Sequence, residues 1–210
     1  MTNASPRKKQ TGRETALEKQ HRQALMRNTA IAIVSVFVVG GIIFWVANET
    51  IKGQADQKRP TANPAEQTVP DEGGGHLEIG DPITYQHYPP SSGQHYGGDT
   101  APVGFLPEAW PEGYWVHNLE HGHVVLLYQC LNNDCADLQN KIRNVINKVP
   151  LRGCDKPRLL AMPYSQGMTG LITMVAWGRQ LDLPEFDEEA IVNFYKRYEN
   201  QGPEKVGCPQ

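Results

Sequence analysis

Six of the seven histidines in this chain fall between residues 76 and 123: His76, His87, His95, His117, His121 and His123. Neutral imidazole is the commonest protein metal ligand and titrates near physiological pH, so this density raises metal chemistry first. Three of the six sit in two compact motifs. His95 closes the run Pro89-Pro90-Ser91-Ser92-Gly93-Gln94-His95, and His117 and His121 frame His117-Asn118-Leu119-Glu120-His121-Gly122. Three imidazoles suit copper or zinc. His76 or Met168 would complete the shell, and a thioether would favour Cu(I) over Zn(II). Copper is therefore the expected cofactor, with zinc as the alternative. Met162 and Met174 lie in apolar runs and read as core. Glu120 is placed to orient a ligating imidazole from behind or to form an ion pair. His87 and His123 read either as structural or as residues that orient the ligating imidazoles from behind. The competing interpretation gives all the imidazoles a stapling role, each hydrogen-bonded to backbone carbonyls in a proline-rich region.

His117-x-x-Glu120-His121 also matches the H-x-x-E-H zinc-protease pattern. That chemistry needs a helix, so that two histidines four residues apart share a face. Pro111, Gly113 and Gly122 leave room for two turns at most, and short helices are marginal without packing. In an extended segment, His117, His121 and His123 would share a face instead. No Ser/His/Asp arrangement is legible, no catalytic residue is assigned, and a binding role is favoured over an enzymatic one.

The elements around these motifs suggest an α+β fold. Residues 76–114 are rich in Pro, Gly and Tyr and predict an ordered loop or a set of short strands, not a helix. Val124–Tyr128 is a short, β-rich apolar run, expected as a buried strand. Ala136–Val149 has apolar residues at helical spacing, with Asp134 as its cap. Arg158–Met162 and Gly170–Trp177 predict two further strands, and Asp187 opens a helix through Tyr198. The expected architecture is a small mixed sheet with helices on one face.

Cys130 ends the first strand and Cys135 starts the helix, whereas Cys154 lies beyond the helix's far end, about 20 Å away. Four cysteines allow three connectivities. The geometry favours Cys130–Cys135 with Cys154–Cys208.

Charge is distributed unevenly. Residues 1–28 carry seven Lys/Arg and two Asp/Glu, a net of +5. Residues 48–210 carry thirteen Lys/Arg and twenty-one Asp/Glu, a net of -8. The stretch between Asn28 and Asn48 has no charged residue and is long enough to cross a bilayer core, which takes about 20 apolar residues. A cleaved signal peptide would have a shorter apolar region followed by a small-residue site. The basic flank stays in the cytoplasm, which would place the rest outside, in an oxidising compartment where cysteines pair. An acidic exported region also argues against nucleic-acid binding. The expected organisation is a cytoplasmic tail over 1–28, a transmembrane helix over 29–47, a flexible polar linker over 48–75 and an exported domain over 76–210.

The two histidine motifs, followed by Ala176-Trp177-Gly178-Arg179, give the chain a resemblance to an uncharacterised prokaryotic family, a domain of unknown function with the patterns PPxSGxH, HxLEHG and AWGR. The similarity spans roughly residues 76–185. It implies an exported domain, often tethered by one N-terminal helix, and a metal, with copper the usual assignment. The cysteines are not part of that pattern. Three functions follow in order: a membrane-anchored exported metal-binding protein for metal handling or electron transfer, a metal-free structural or assembly module of a membrane protein complex, and an H-x-x-E-H zinc hydrolase.

Overall fold

The computed structural model describes residues 7–57, 59–130 and 135–209. The chain divides into two compact units, residues 1–58 and 59–210. The first is one long helix, α1 (Arg7–Gln57). Basic tail, apolar span and the start of the expected linker are continuous in it. Within α1, His21–Val46 is long and apolar enough to cross a membrane, by length and composition.

The second unit is α+β, as the sequence predicts. Its six-stranded mixed sheet has the order β1 (Gln67–Thr68), β8 (Arg179–Leu183), β7 (Ile172–Ala176), β5 (Val124–Tyr128), β6 (Leu159–Pro163), β4 (Gly104–Phe105). β5 runs parallel to β6, and α3 (Ala136–Ile146) lies between them in sequence, as a parallel pairing requires a crossover. β7 pairs antiparallel with β5 and with β8. The β7–β8 turn is Trp177-Gly178, and Gly178 takes a positive φ of 66°, as two-residue hairpin turns favour. A separate parallel pair joins β2 (His76–Leu77) to β3 (His95–Tyr96).

β5 explains why its sequence is apolar without alternation. All five residues are buried, because both faces of the strand are covered. Val124, Leu126 and Tyr128 join one core with α3 and with α4 (Glu188–Tyr198). Val125 and Leu127 join a second core with Trp115, Val116 and Leu119 of α2 (Glu112–Glu120). Strand side chains alternate by period two, so one run feeds two layers. The two helices that periodicity announces share one face, and Asp187 caps α4 by accepting from the Ala190 amide. The opposite face is closed by α2 and the proline-rich loop. The expected Asp134 cap of α3 lies outside the described residues.

The unit starts earlier than the composition suggests. Residues 59–75 were expected as a flexible linker, but they form a strap fastened largely by polar contacts. Gln67 and Thr68 pair with β8, and Val69 is buried. The Glu72 carboxylate accepts from the Gln86 and His87 amides at 2.8 and 2.9 Å. Low hydrophobicity argues against self-ordering, but not against docking on a neighbouring sheet edge.

Both expected disulfides are present, Cys130–Cys135 and Cys154–Cys208, with Cα atoms 5.6 and 5.4 Å apart. They close chain segments with sequence separations of 5 and 54. Loop entropy makes the longer closure worth roughly 4 kcal/mol and the shorter roughly 2 kcal/mol. The Cys154→Ser/Cys208→Ser double variant should therefore lose more stability in urea than Cys130→Ser/Cys135→Ser. Equal losses, or a larger loss for the short loop, would count against the entropic origin.

Candidate metal centre

Helix α2 exists despite its weak sequence signal. Pro111 occupies the N-cap position with no side-chain cap bond, and residues 115–120 are all buried, so packing rather than propensity sustains the helix. It ends where Gly122 takes a φ of 74°; the Gly122 amide turns back to the Leu119 carbonyl at 2.9 Å. The last turn carries His117 and Glu120, with His121 at the C-cap. The extended alternative for this segment is thus replaced by a helix with His117 and His121 side by side, their ring centroids 4.4 Å apart.

Four side chains converge: His76, His95, His117 and Glu120. One ligand atom from each lies within 4.8 Å of the others. The imidazole centroids form a near-equilateral triangle of 4.9, 5.2 and 5.1 Å. Different elements supply each corner. Strand pairing sets His76 opposite His95, supported by the amide of His95 donating to Gly75 and that of Gly93 to Gly73, at 3.0 and 2.8 Å. α2 supplies His117 and Glu120. Asn118, to which the sequence assigns no role, ties α2 to the facing loop: its side chain accepts from the Ala101 amide and donates to the Ala101 carbonyl, at 2.9 and 3.0 Å. That bridge holds the Asp99 carbonyl 3.4 Å from His117 Nδ1.

The hydrogen bonds specify the protonation chemistry. His95 Nδ1 faces the Gly93 carbonyl at 2.9 Å. A carbonyl only accepts, so Nδ1 is the donor, and in a neutral ring Nε2 bears a lone pair. A carboxylate oxygen of Glu120 lies 2.9 Å from that Nε2. Two acceptors at this distance need a proton or a metal ion between them. The same oxygen lies 3.4 Å from His76 Nε2. The His117 pKa is lowered by burial first, then by the His121 and His95 imidazoles, which keeps the ring neutral and able to coordinate. In a tetrahedral site with bonds of about 2.0 Å, donor atoms sit roughly 3.3 Å apart. His95 and Glu120 are already closer than that, and His76 Nε2, on a side chain half exposed to solvent, stands 3.4 Å from the same Glu120 oxygen. A group of three imidazoles and one carboxylate in this arrangement could hold a metal ion.

Other expected site residues fall elsewhere. His121 adjoins His117, but its Nε2 pairs with the Glu204 carboxylate at 3.3 Å. Met168 packs against the apolar core of the α2 face, and the contacts of the described residues do not bring it to the imidazoles. Glu120, expected behind a ligand, is instead among the candidate ligands. His87 bonds Gln180 at 2.9 Å, and His123 Nδ1 donates to the Asn118 carbonyl at 3.0 Å; both staple the fold. The AWGR segment also meets the site. Trp177 stands edge-on to His95 at 6.4 Å, and the Gly178 amide donates to the Ser91 carbonyl at 3.0 Å. Three motifs far apart in sequence therefore meet around one imidazole.

These features define an exposed-edged α+β domain built around a cluster of three histidines and a glutamate. The chain belongs to the family described as protein of unknown function (DUF3105), whose model matches residues 76–210. No curated protein and no solved structure matches it.

His123 yields a pH test independent of any metal. Burial pushes its pKa down to about 4, against the hydrogen bond to Asn118. An unfolded histidine titrates near 6.5, so between these values the unfolded chain binds a proton that the native ring refuses. The contribution is complete above about 6.5 and is lost as pH falls toward 4, by roughly 3 kcal/mol. Urea unfolding with chelator present should show this decline, and His123→Gln should flatten it. An unchanged slope in the variant would remove His123 as its source.

Proposed function

We propose that this is a membrane-anchored, exported metal-binding protein that holds one transition-metal ion through His76, His95, His117 and Glu120. The observation that carries the reading is the His95–Glu120 contact, where two buried acceptors need a cation or a proton between them. The donor set is three nitrogens and one oxygen, without sulfur. It suits Cu(II) and Zn(II), and Cu(II) binds such donors more tightly in the Irving–Williams order. Copper thus leads as Cu(II), rather than as the Cu(I) that a Met168 thioether would favour. The same donor set points to metal handling more than to electron transfer, which commonly uses a thiolate and a weak axial thioether.

One observation supports a second reading. The H-x-x-E-H segment does lie at the end of a helix, as the zinc-hydrolase pattern needs. Glu120, however, is engaged by His95 and His76, whereas that mechanism needs it as a free base. If the hydrolase reading holds, Glu120→Gln abolishes peptide cleavage and retains zinc.

Copper and zinc titrations of the full chain in detergent test the main reading. His95→Ala and His117→Ala should each weaken binding by about 100-fold or more, on the scale by which even supporting residues matter. Affinity should decline as pH falls through the histidine range, because a protonated imidazole cannot coordinate. A chain that remains metal-free under both titrations would favour the assembly-module reading.

The anchor reading is supported by α1 and by the seven basic residues before the apolar span, a flank that favours a cytoplasmic N-terminus. Protease added to spheroplasts should digest the region after residue 59 and spare the N-terminal tail. Protection of the region after residue 59 would reverse the topology.

A further inference from the structure

Residues 200–208 are held against the end of α2 by several independent restraints. The Asn200 amide donates to the Gly122 carbonyl at 2.7 Å, and the Glu204 amide to the Glu120 carbonyl at 3.0 Å. Asn200 adopts a positive φ of 58°. At Gly202, a Cβ would fall 2.1 Å from the Glu120 carbonyl oxygen, so only glycine allows this approach. Beyond it, the Arg158 guanidinium donates to the Val206 and Gly207 carbonyls at 3.1 and 2.6 Å, and Cys208 is bonded to Cys154. The result of these restraints is that Glu204 faces His121 at 3.3 Å.

Glu120, His121 and Glu204 form a second group whose ligand atoms lie within 4.8 Å of one another. It shares Glu120 with the first group. Neighbouring positions 120 and 121 thus supply one ligand common to both groups and one specific to the second. Two further observations point to a cation here. The C-terminal end of a helix carries partial negative charge, and this group sits on the last turn of α2 and its cap. His121 also lines a cavity of ≈ 760 Å³ with Asp99, Trp110, Tyr114 and Asn118, which gives an ion access from solvent and leaves coordination positions open to water or a small anion.

We propose that the site is dinuclear: Glu120, His121 and Glu204 hold a second divalent metal ion, with the Glu120 carboxylate spanning both ions. This rests on the first site proposed above. The two ions would stand about 4 Å apart, as in two-metal sites generally. The second ion, with three protein ligands, is the weaker bound and the one that faces the cavity.

The test is the zinc stoichiometry of the full chain in detergent, measured by calorimetry and by metal analysis after desalting. Two Zn(II) per wild-type chain are expected, with one retained in Glu204→Gln and one in His121→Gln. Circular dichroism should match the wild type in both; if either variant fails to fold, the other decides. With Cu(II), the two-ion form should show fewer unpaired spins than copper ions, through coupling across the shared carboxylate, and the one-ion variants should show full spin. One zinc per wild-type chain, unchanged in the variants, would overturn the second site and leave the first standing. Two per chain in the wild type and in both variants would place the second ion elsewhere and overturn it as well. No zinc at all would overturn the first site and this inference together.

Discussion

A carboxylate buried beside imidazoles is the constraint on which the rest of the α+β unit turns. Burying a charged group without compensation is costly, and Glu120 is buried at the end of a helix whose dipole is unfavourable to an anion. His95 and His76 supply the compensation through a proton or a metal ion. To do so, His95 must be delivered by the proline-rich loop and His76 by the strap. The arrangement explains why a region with little apolar periodicity is nevertheless ordered: its contacts are polar and converge on one group.

The apolar sheet provides the rigid side of this arrangement. Because β5 contributes to two cores, α2 is packed through Trp115, Val116 and Leu119 onto a surface already fixed from behind by α3 and α4. His117 and Glu120 therefore project from a buried helix rather than from a loop. Trp177, at the tip of the β7–β8 hairpin, is carried by the same sheet. The strap, by contrast, brings His76 from the sheet edge, and its side chain is half exposed. The cluster thus combines three buried side chains with one that is half exposed to solvent.

The sequence revealed elements whose patterns are local. The strand Val124–Tyr128 and the helix after Asp187 stand where periodicity and capping chemistry place them, and cysteine geometry favours the observed pairing. The histidine motifs were also legible, and they do meet. Glycines and a proline concealed α2, because its stability comes from tertiary burial that no local signal records. Composition concealed the strap, whose anchoring bonds run from Glu72 and Gly73 to residues about 14 to 20 positions away. Asn118 and Glu204 carry no motif signal, since their partners are backbone atoms of a distant loop in one case and a histidine about 80 residues earlier in the other. Met168 drew attention by its chemistry, yet the packing of its loop against Tyr88 leaves it partly buried against the core: a Cβ on Gly167 would fall 2.2 Å from the Tyr88 carbonyl oxygen.

The strap also sets the true extent of the functional unit. The family match begins at His76, so a chain cut there would keep every matched residue. It would lose the Gly73 and Gly75 carbonyls that receive the Gly93 and His95 amides, the Glu72 carboxylate that gathers residues 86 and 87, and the Gln67–Thr68 rung on the sheet edge. His76 would then be a chain terminus without a register. The boundary drawn by sequence similarity and the boundary of the folded unit differ by about a dozen and a half residues, and those residues hold one wall of the site in place.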